Sequence, residues 1–141
     1  MNKTISQLVA QVESGNVPWA MRFEPAFKPS EQAINNCIKA HKPAYMNRTT
    51  AENICKTSFG AYQIMGENIY TVCKYGESIA QFLSSKFDQH AAFTRFIEAR
   101  GINFSTEEIL RDVDKRNLFA RRYNGSTGYG ALLVAVAEGR K

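Results

Sequence analysis

Glu13 is the first residue whose position invites chemistry. It follows an apolar stripe of Ile5, Leu8, Val9 and Val12, spaced i, i+3, i+4 and i+7, and precedes Ser14-Gly15. A carboxylate there sits at the negative end of a helix dipole. Burial against Val12, Trp19 or a neighbouring helix would add desolvation, and both effects raise a carboxyl pKa. A carboxyl that keeps its proton near neutral pH suits a general acid. The second segment is Gly60-Ala61-Tyr62-Gln63-Ile64-Met65-Gly66. Its glycines permit close backbone approach, and Gln63 carries an amide that donates and accepts at once. The third is Tyr123-Asn124-Gly125, a phenol and an amide beside a flexible residue. Each is common alone: a surface glutamate, a chance spacing, an ordinary turn. In this order the three suit cleavage of a glycosidic bond beside an N-acetyl group. Amide and phenol groups would fix the acetamido group while the acid protonates the leaving oxygen.

The same residues carry a family resemblance. Glu13-Ser14 is similar to the catalytic Glu-Ser motif of goose-type lysozymes and soluble lytic transglycosylases. Gly60 to Gln63 is similar to their Gly-Leu-Met-Gln motif, and Tyr123-Asn124 to their Ala-Tyr-Asn motif. A closer resemblance is to the N-acetylmuramidases found in bacteriophage endolysins. It rests on Glu13-Ser14-Gly15, on Met21 to Pro25, on Gly60 to Gly66, and on Phe119 to Gly125. It runs from about residue 8 to the C-terminus. Two positions depart from the family pattern: Phe59, where Trp is frequent, and Ala61, where Leu is frequent. Both keep an apolar side chain and are expected to alter packing, not chemistry.

The resemblance implies a lysozyme-like fold, mainly α with at most a small β-hairpin, and a cleft for the glycan strand of peptidoglycan. It implies cleavage of the β-1,4 bond between N-acetylmuramic acid and N-acetylglucosamine, for host lysis by a phage. It implies that Glu13 and Tyr123 serve catalysis, and that Ser14, Gly60, Gln63, Ile64, Met65 and Asn124 bind substrate. A second carboxylate is open. An inverting hydrolase needs one roughly 6.5–9.5 Å from the acid to activate water. A lytic transglycosylase needs none, because the sugar's own 6-hydroxyl closes on the anomeric carbon. Glu24 is the nearest candidate in sequence, ahead of Glu31 and Glu52, and it is equally readable as the partner of Arg22. A virion-associated peptidoglycan-binding protein is a third alternative, and the joint presence of Glu13, Gln63 and Tyr123 argues against a dead relative.

The elements that must position these residues are short helices. Thr4 and Gln7 form a candidate capping box for the first, and Gly15, Asn16 and Pro18 stop it. Residues 16–29 hold three prolines and read as irregular. Ser30 opens a helix that ends before Pro43, and Thr49 with Glu52 is expected to cap another through Lys56. A helical run is expected after Gly66 as far as Tyr75, then one from Glu77 to Leu83 and one from Ser85 to Gly101. Ser105 with Glu108 opens a helix expected to continue to Tyr123. A last helix carries Leu132, Leu133, Val136 and Ala137. Only residues 43–48 and 57–61 are expected to form a hairpin or bulge.

Composition bounds the rest. The 141 residues are 44% apolar or aromatic and 22% charged, which excludes disorder and collagen. The length predicts one domain over residues 1–141, with no separate cell-wall-binding domain. No apolar run approaches the roughly 20 residues of a membrane helix. Residues 1–12 lack the apolar core of a Sec signal, so the chain is expected in the host cytoplasm until release, acting then on periplasmic peptidoglycan. The net charge of +5 points weakly to an anionic partner. Nucleic acid is not expected, because no basic and aromatic stripe accompanies that charge. Cys37, Cys55 and Cys73 read as buried reduced thiols, and His41 and His90 share no ligand spacing with them. The expected state is a monomer with no metal and no organic cofactor.

Overall fold

A computed structural model describes residues 3–126 and 128–139. The Gln7 backbone N–H donates to Thr4 Oγ1 at 3.3 Å, and the Thr4 N–H donates to Gln7 Oε1 at 2.8 Å. This capping box starts α1 (Ile5–Ser14), and Gly15, at φ 65, ends it. Leu8 and Val9 are fully buried, and Ile5 and Val12 pack against the same core.

The sheet differs from expectation. It has three antiparallel strands: β1 (Met21–Phe23), β2 (Thr57–Phe59) and β3 (Ile64–Met65), in the order β1-β2-β3. Met21 opposes Phe59, and Phe59 opposes Ile64. β1 lies in the segment read as irregular; Pro18, Pro25 and Pro29 flank it and leave a proline-free run that pairs. Residues 43–48 add nothing to the sheet: they turn and then begin a helix.

Helix starts follow their caps. Ser30 Oγ accepts from the Ala33 N–H and opens α2 (Glu31–Ala40). α3 (Arg48–Cys55) is capped by Asn47, whose Oδ1 accepts from the Thr50 N–H at 2.8 Å. The expected Thr49 cap therefore falls inside the first turn, and Glu52 pairs with Arg48 at i, i+4 instead. α4 (Gly66–Tyr70) stops five residues before Tyr75: the Cys73 N–H reaches back to Asn68 O, and Lys74 is left-handed at φ 52. α5 (Ile79–Ser84) starts after the Ser78 cap, and α6 (Lys86–Ala99) after the Ser85 cap. The helix expected from Ser105 to Tyr123 is two. α7 (Thr106–Arg111) has the Ser105–Glu108 capping box. Asp112 then leaves helical geometry, at ψ 110, and caps α8 (Val113–Tyr123) with its own carboxylate. A charged residue able to cap outweighs the apolar period that suggested continuity. α9 (Gly128–Ala137) closes the described chain.

Buried residues from α1 to α9 form one cluster, including Leu8, Ile34, Phe59, Tyr70, Phe93, Phe119 and Leu133. The architecture is mainly α with a small sheet, the lysozyme-like α+β class. Cys37, Cys55 and Cys73 are free and buried. His41 is spent on backbone, with Nε2 accepting from the Ile79 N–H at 3.0 Å and Nδ1 2.7 Å from Cys37 O. α3 and α4 touch at Gly66, where an added Cβ would lie 2.1 Å from the Ile54 carbonyl oxygen. Backbone cannot yield as a flexible side chain does. Gly66→Ala is expected to destabilise the fold by about 1–3 kcal/mol. Urea denaturation measures it; an unchanged midpoint would mean that the two helices are not held this close.

Candidate active site

The turn from Gly60 to Gln63 joins β2 to β3 and is strained into place. Gly60 has φ 82 and Gln63 has φ 52. A Cβ on Gly60 would lie 2.6 Å from Gln89 Oε1, so glycine is required for space as well as conformation. The backbone of this turn is held from several sides. The Gly60 N–H donates to Ala20 O at 2.8 Å. The Ala61 N–H donates to Gln89 Oε1 at 2.9 Å. Ser14 Oγ donates to Ala61 O, and the Tyr123 hydroxyl to Tyr62 O, each at 2.8 Å. Gln63 Nε2 reaches Gly60 O at 2.9 Å and Ala20 O at 3.2 Å. The chemical motifs of the sequence therefore meet at one turn.

Glu13 precedes Ser14 at the C-terminal end of α1 and is half-buried. Burial pushes its carboxyl above the usual carboxylate value; the Tyr129 hydroxyl and then the positive charge of Arg22 pull the other way. Trp19, one of the residues expected to bury it, is 68% exposed, while α9 packs on α1. Arg22 also pairs with Glu24, Nε to Oε1 at 3.1 Å, so one guanidinium serves both carboxyls. Glu31 and Glu52, the other candidate carboxylates, are both engaged by Arg48.

An aromatic wall backs the site. Tyr62 stacks on Phe93 with ring centroids 4.5 Å apart. Tyr123 lies parallel to Phe119, meets Phe96 edge-on, and stacks with Tyr129 at 5.9 Å. Burial first, and then the Glu13 charge, pushes both phenols well above their ordinary range. Tyr123 thus stays protonated, and its hydroxyl is spent on the turn. Ile64 is buried, Met65 is half-buried beside it, and Asn124 is exposed where α8 ends. Among the described residues, no group of three or more His, Cys, Asp or Glu is placed to hold a metal ion.

Comparison with known proteins gives the family. The family model for N-acetylmuramidases matches residues 31–131. The chain belongs to the N-acetylmuramidase family. It is a glycoside hydrolase that acts on peptidoglycan. An endolysin of Enterobacteria phage PRD1 is 30% identical over 147 residues, covering 98% of this chain and 97% of that protein. No solved structure matches. The family match includes the turn, Tyr123 and Tyr129 and leaves Glu13 and Glu24 outside it, whereas the similarity to the phage endolysin spans nearly the whole chain.

Two residues of the muramidase site escape a reading by motif. Gln89 is 1% exposed and occupies a core position of α6, with Ala92, Phe93 and Phe96 at i+3, i+4 and i+7. A glutamine on an apolar stripe is the signal that marks it. Its Nε2 donates to Pro18 O at 2.8 Å and to Phe82 O at 3.0 Å. Tyr129 starts α9 and is buried with Leu133 one turn on. In the muramidase, Gln89→Leu is expected to leave Ala61 N–H and Pro18 O unmet, while Phe82 O keeps the Ser85 N–H, at about 1–3 kcal/mol for each group that finds no water. Melting temperature and lytic rate should fall together. A variant as stable and active as the parent would show that the turn does not depend on this amide.

Proposed function

We propose that this muramidase is a bacteriophage lysis enzyme that cleaves the β-1,4 bond between N-acetylmuramic acid and N-acetylglucosamine, with Glu13 as general acid. The observation that carries the reading is the burial that raises the Glu13 pKa at the end of α1. The helix dipole works in the same direction. A carboxyl so placed holds its proton to higher pH than a free one and delivers it to the leaving oxygen. Gln63, Asn124 and the backbone around Gly60, Ile64 and Met65 then bind the sugar and its acetamido group. Ser14 and Tyr123 act by fixing that backbone, since their hydroxyls donate to Ala61 O and Tyr62 O.

Glu24 is the proposed base that activates water on the opposite face of the sugar. Arg22 holds its carboxylate. Among the described residues, no helix is long and apolar enough to cross a membrane. The enzyme is proposed to act as a monomer without metal or organic cofactor. It would be made in the host cytoplasm and reach periplasmic peptidoglycan at lysis, with no nucleic-acid partner.

Glu13→Gln is nearly isosteric and removes the transferable proton. Lytic rate on purified peptidoglycan is expected to fall by about 10²–10⁴-fold. Stability should move the other way. A carboxyl whose folded pKa is raised contributes fully below its unfolded value and loses that contribution as pH rises through the folded one. Wild type and Glu13→Gln are therefore expected to melt together below about pH 4, with the variant melting higher near neutral pH. Loss of less than tenfold in rate would remove Glu13 as the acid.

Glu24→Gln separates the two ways of closing the reaction. Activity is expected to fall about as far as for Glu13→Gln, and wild-type products should carry reducing ends. Mass spectrometry of the released muropeptides reads this directly, because a 1,6-anhydro product is one water lighter. Anhydro products, with a stable and active Glu24→Gln, would assign the enzyme to the lytic transglycosylases.

A further inference from the structure

One polar group in the aromatic wall lies within reach of the Glu13 carboxyl without closing a hydrogen bond of normal geometry. Tyr129 is 4% exposed, yet its hydroxyl closes no hydrogen bond of normal geometry with any described residue. Buried hydroxyls are seldom left this way. This one faces the Glu13 carboxyl where α9 packs on α1. The other hydroxyls beside it are committed, Ser14 to Ala61 O and Tyr123 to Tyr62 O.

We infer that Tyr129 is a positioning residue for Glu13, its hydroxyl held in reserve for the carboxylate that forms when Glu13 gives up its proton. The inference rests on the proposal that Glu13 is the general acid. A neutral carboxyl has its own proton to donate, whereas a carboxylate only accepts. As the glycosidic C–O bond breaks, its electron pair goes to the leaving oxygen, and the Glu13 proton goes with it. The new carboxylate then accepts from the Tyr129 O–H in a charge-assisted bond, and Tyr129 keeps its proton. Among the described residues, Arg22 from β1, Tyr123 from α8 and Tyr129 from α9 face Glu13. Arg22 is exposed and shared with Glu24, and the Tyr123 hydroxyl is used by the turn. Tyr129 is the buried donor still open to the carboxylate.

Tyr129→Phe keeps the ring and removes the donor. Two measurements on the full chain test it: the Glu13 carboxyl titration followed by carbon NMR, and the pH dependence of cleavage of purified peptidoglycan. Without the donor the ionised form loses support, so the Glu13 titration is expected to move up by about one pH unit. The alkaline limb of activity should move with it, and the plateau rate should fall about tenfold. A variant that melts lower but leaves the titration and the limb in place overturns the inference. If Tyr129→Phe does not fold, a fluorinated tyrosine at 129 gives a more acidic donor of nearly the same shape. The Glu13 titration must then move down, and an unmoved one overturns the inference equally. An inactive Glu13→Gln with an unmoved Glu13 titration in Tyr129→Phe defeats this inference alone. An active Glu13→Gln defeats the proposed function, and this inference with it.

Discussion

The site depends on one buried carboxamide. Gln89 uses its oxygen on Ala61 and its nitrogen on Pro18 and Phe82. These three partners lie between α1 and β1, in the β2–β3 turn, and in α5. A single side chain of α6 therefore ties together the loop after α1, the β2–β3 turn, and the preceding helix. Inside a core such a network is rigid when every group is met and costly when one is not. Here the amide meets all three partners, and the close approach of Gly60 to its oxygen leaves the turn no room to shift.

Rigidity in the turn makes a raised pKa usable. Burying a carboxyl is unfavourable once it ionises, and a loosely packed site would relax to admit water. Phe93, Phe96, Phe119 and three tyrosines back the site, and their ring contacts resist that relaxation. Arg22 works against the trend, since its charge favours the ionised Glu13. It is largely exposed, so solvent screens it, and burial prevails. Exclusion of water thus disfavours the ionised carboxyl, while Arg22 leaves a cation near it.

What the sequence showed followed the range over which each signal acts. Caps made within three residues were legible: Thr4–Gln7, Ser30 and Ser105–Glu108 all start helices where they appear. Where two local signals compete, the residue whose side chain reaches the open backbone donors prevails. Asn47 takes the cap expected of Thr49, and Asp112 breaks the helix expected from the apolar spacing. β1 was not legible, because three residues between prolines become a strand only by pairing with Thr57–Phe59 far along the chain. The site divides the same way. Glu13, Gln63 and Tyr123 stood out by residue type and order. The contacts among them did not, since Ser14 meets Ala61 and Tyr123 meets Tyr62 only after folding. Gln89 carried a readable signal as a polar residue on an apolar helix face. Tyr129 carried none, because a tyrosine on a buried face is ordinary until its neighbour is known to be an acid.

The corner between α8 and α9 explains how two phenols reach the same wall. Tyr123 and Tyr129 are six residues apart. On one continuous helix they would stand about 9 Å apart along the axis and well over 90° apart around it. One would face the core and the other would turn away. Instead α8 ends at Tyr123, Gly125 takes φ 86, and α9 begins at Gly128. The two rings then stack at 5.9 Å with their planes 27° apart. The break that makes Tyr-Asn-Gly look like a common turn is thus the geometric condition for the site. It lets the last ring of one helix hold the β2–β3 turn while a ring at the start of the next faces the acid.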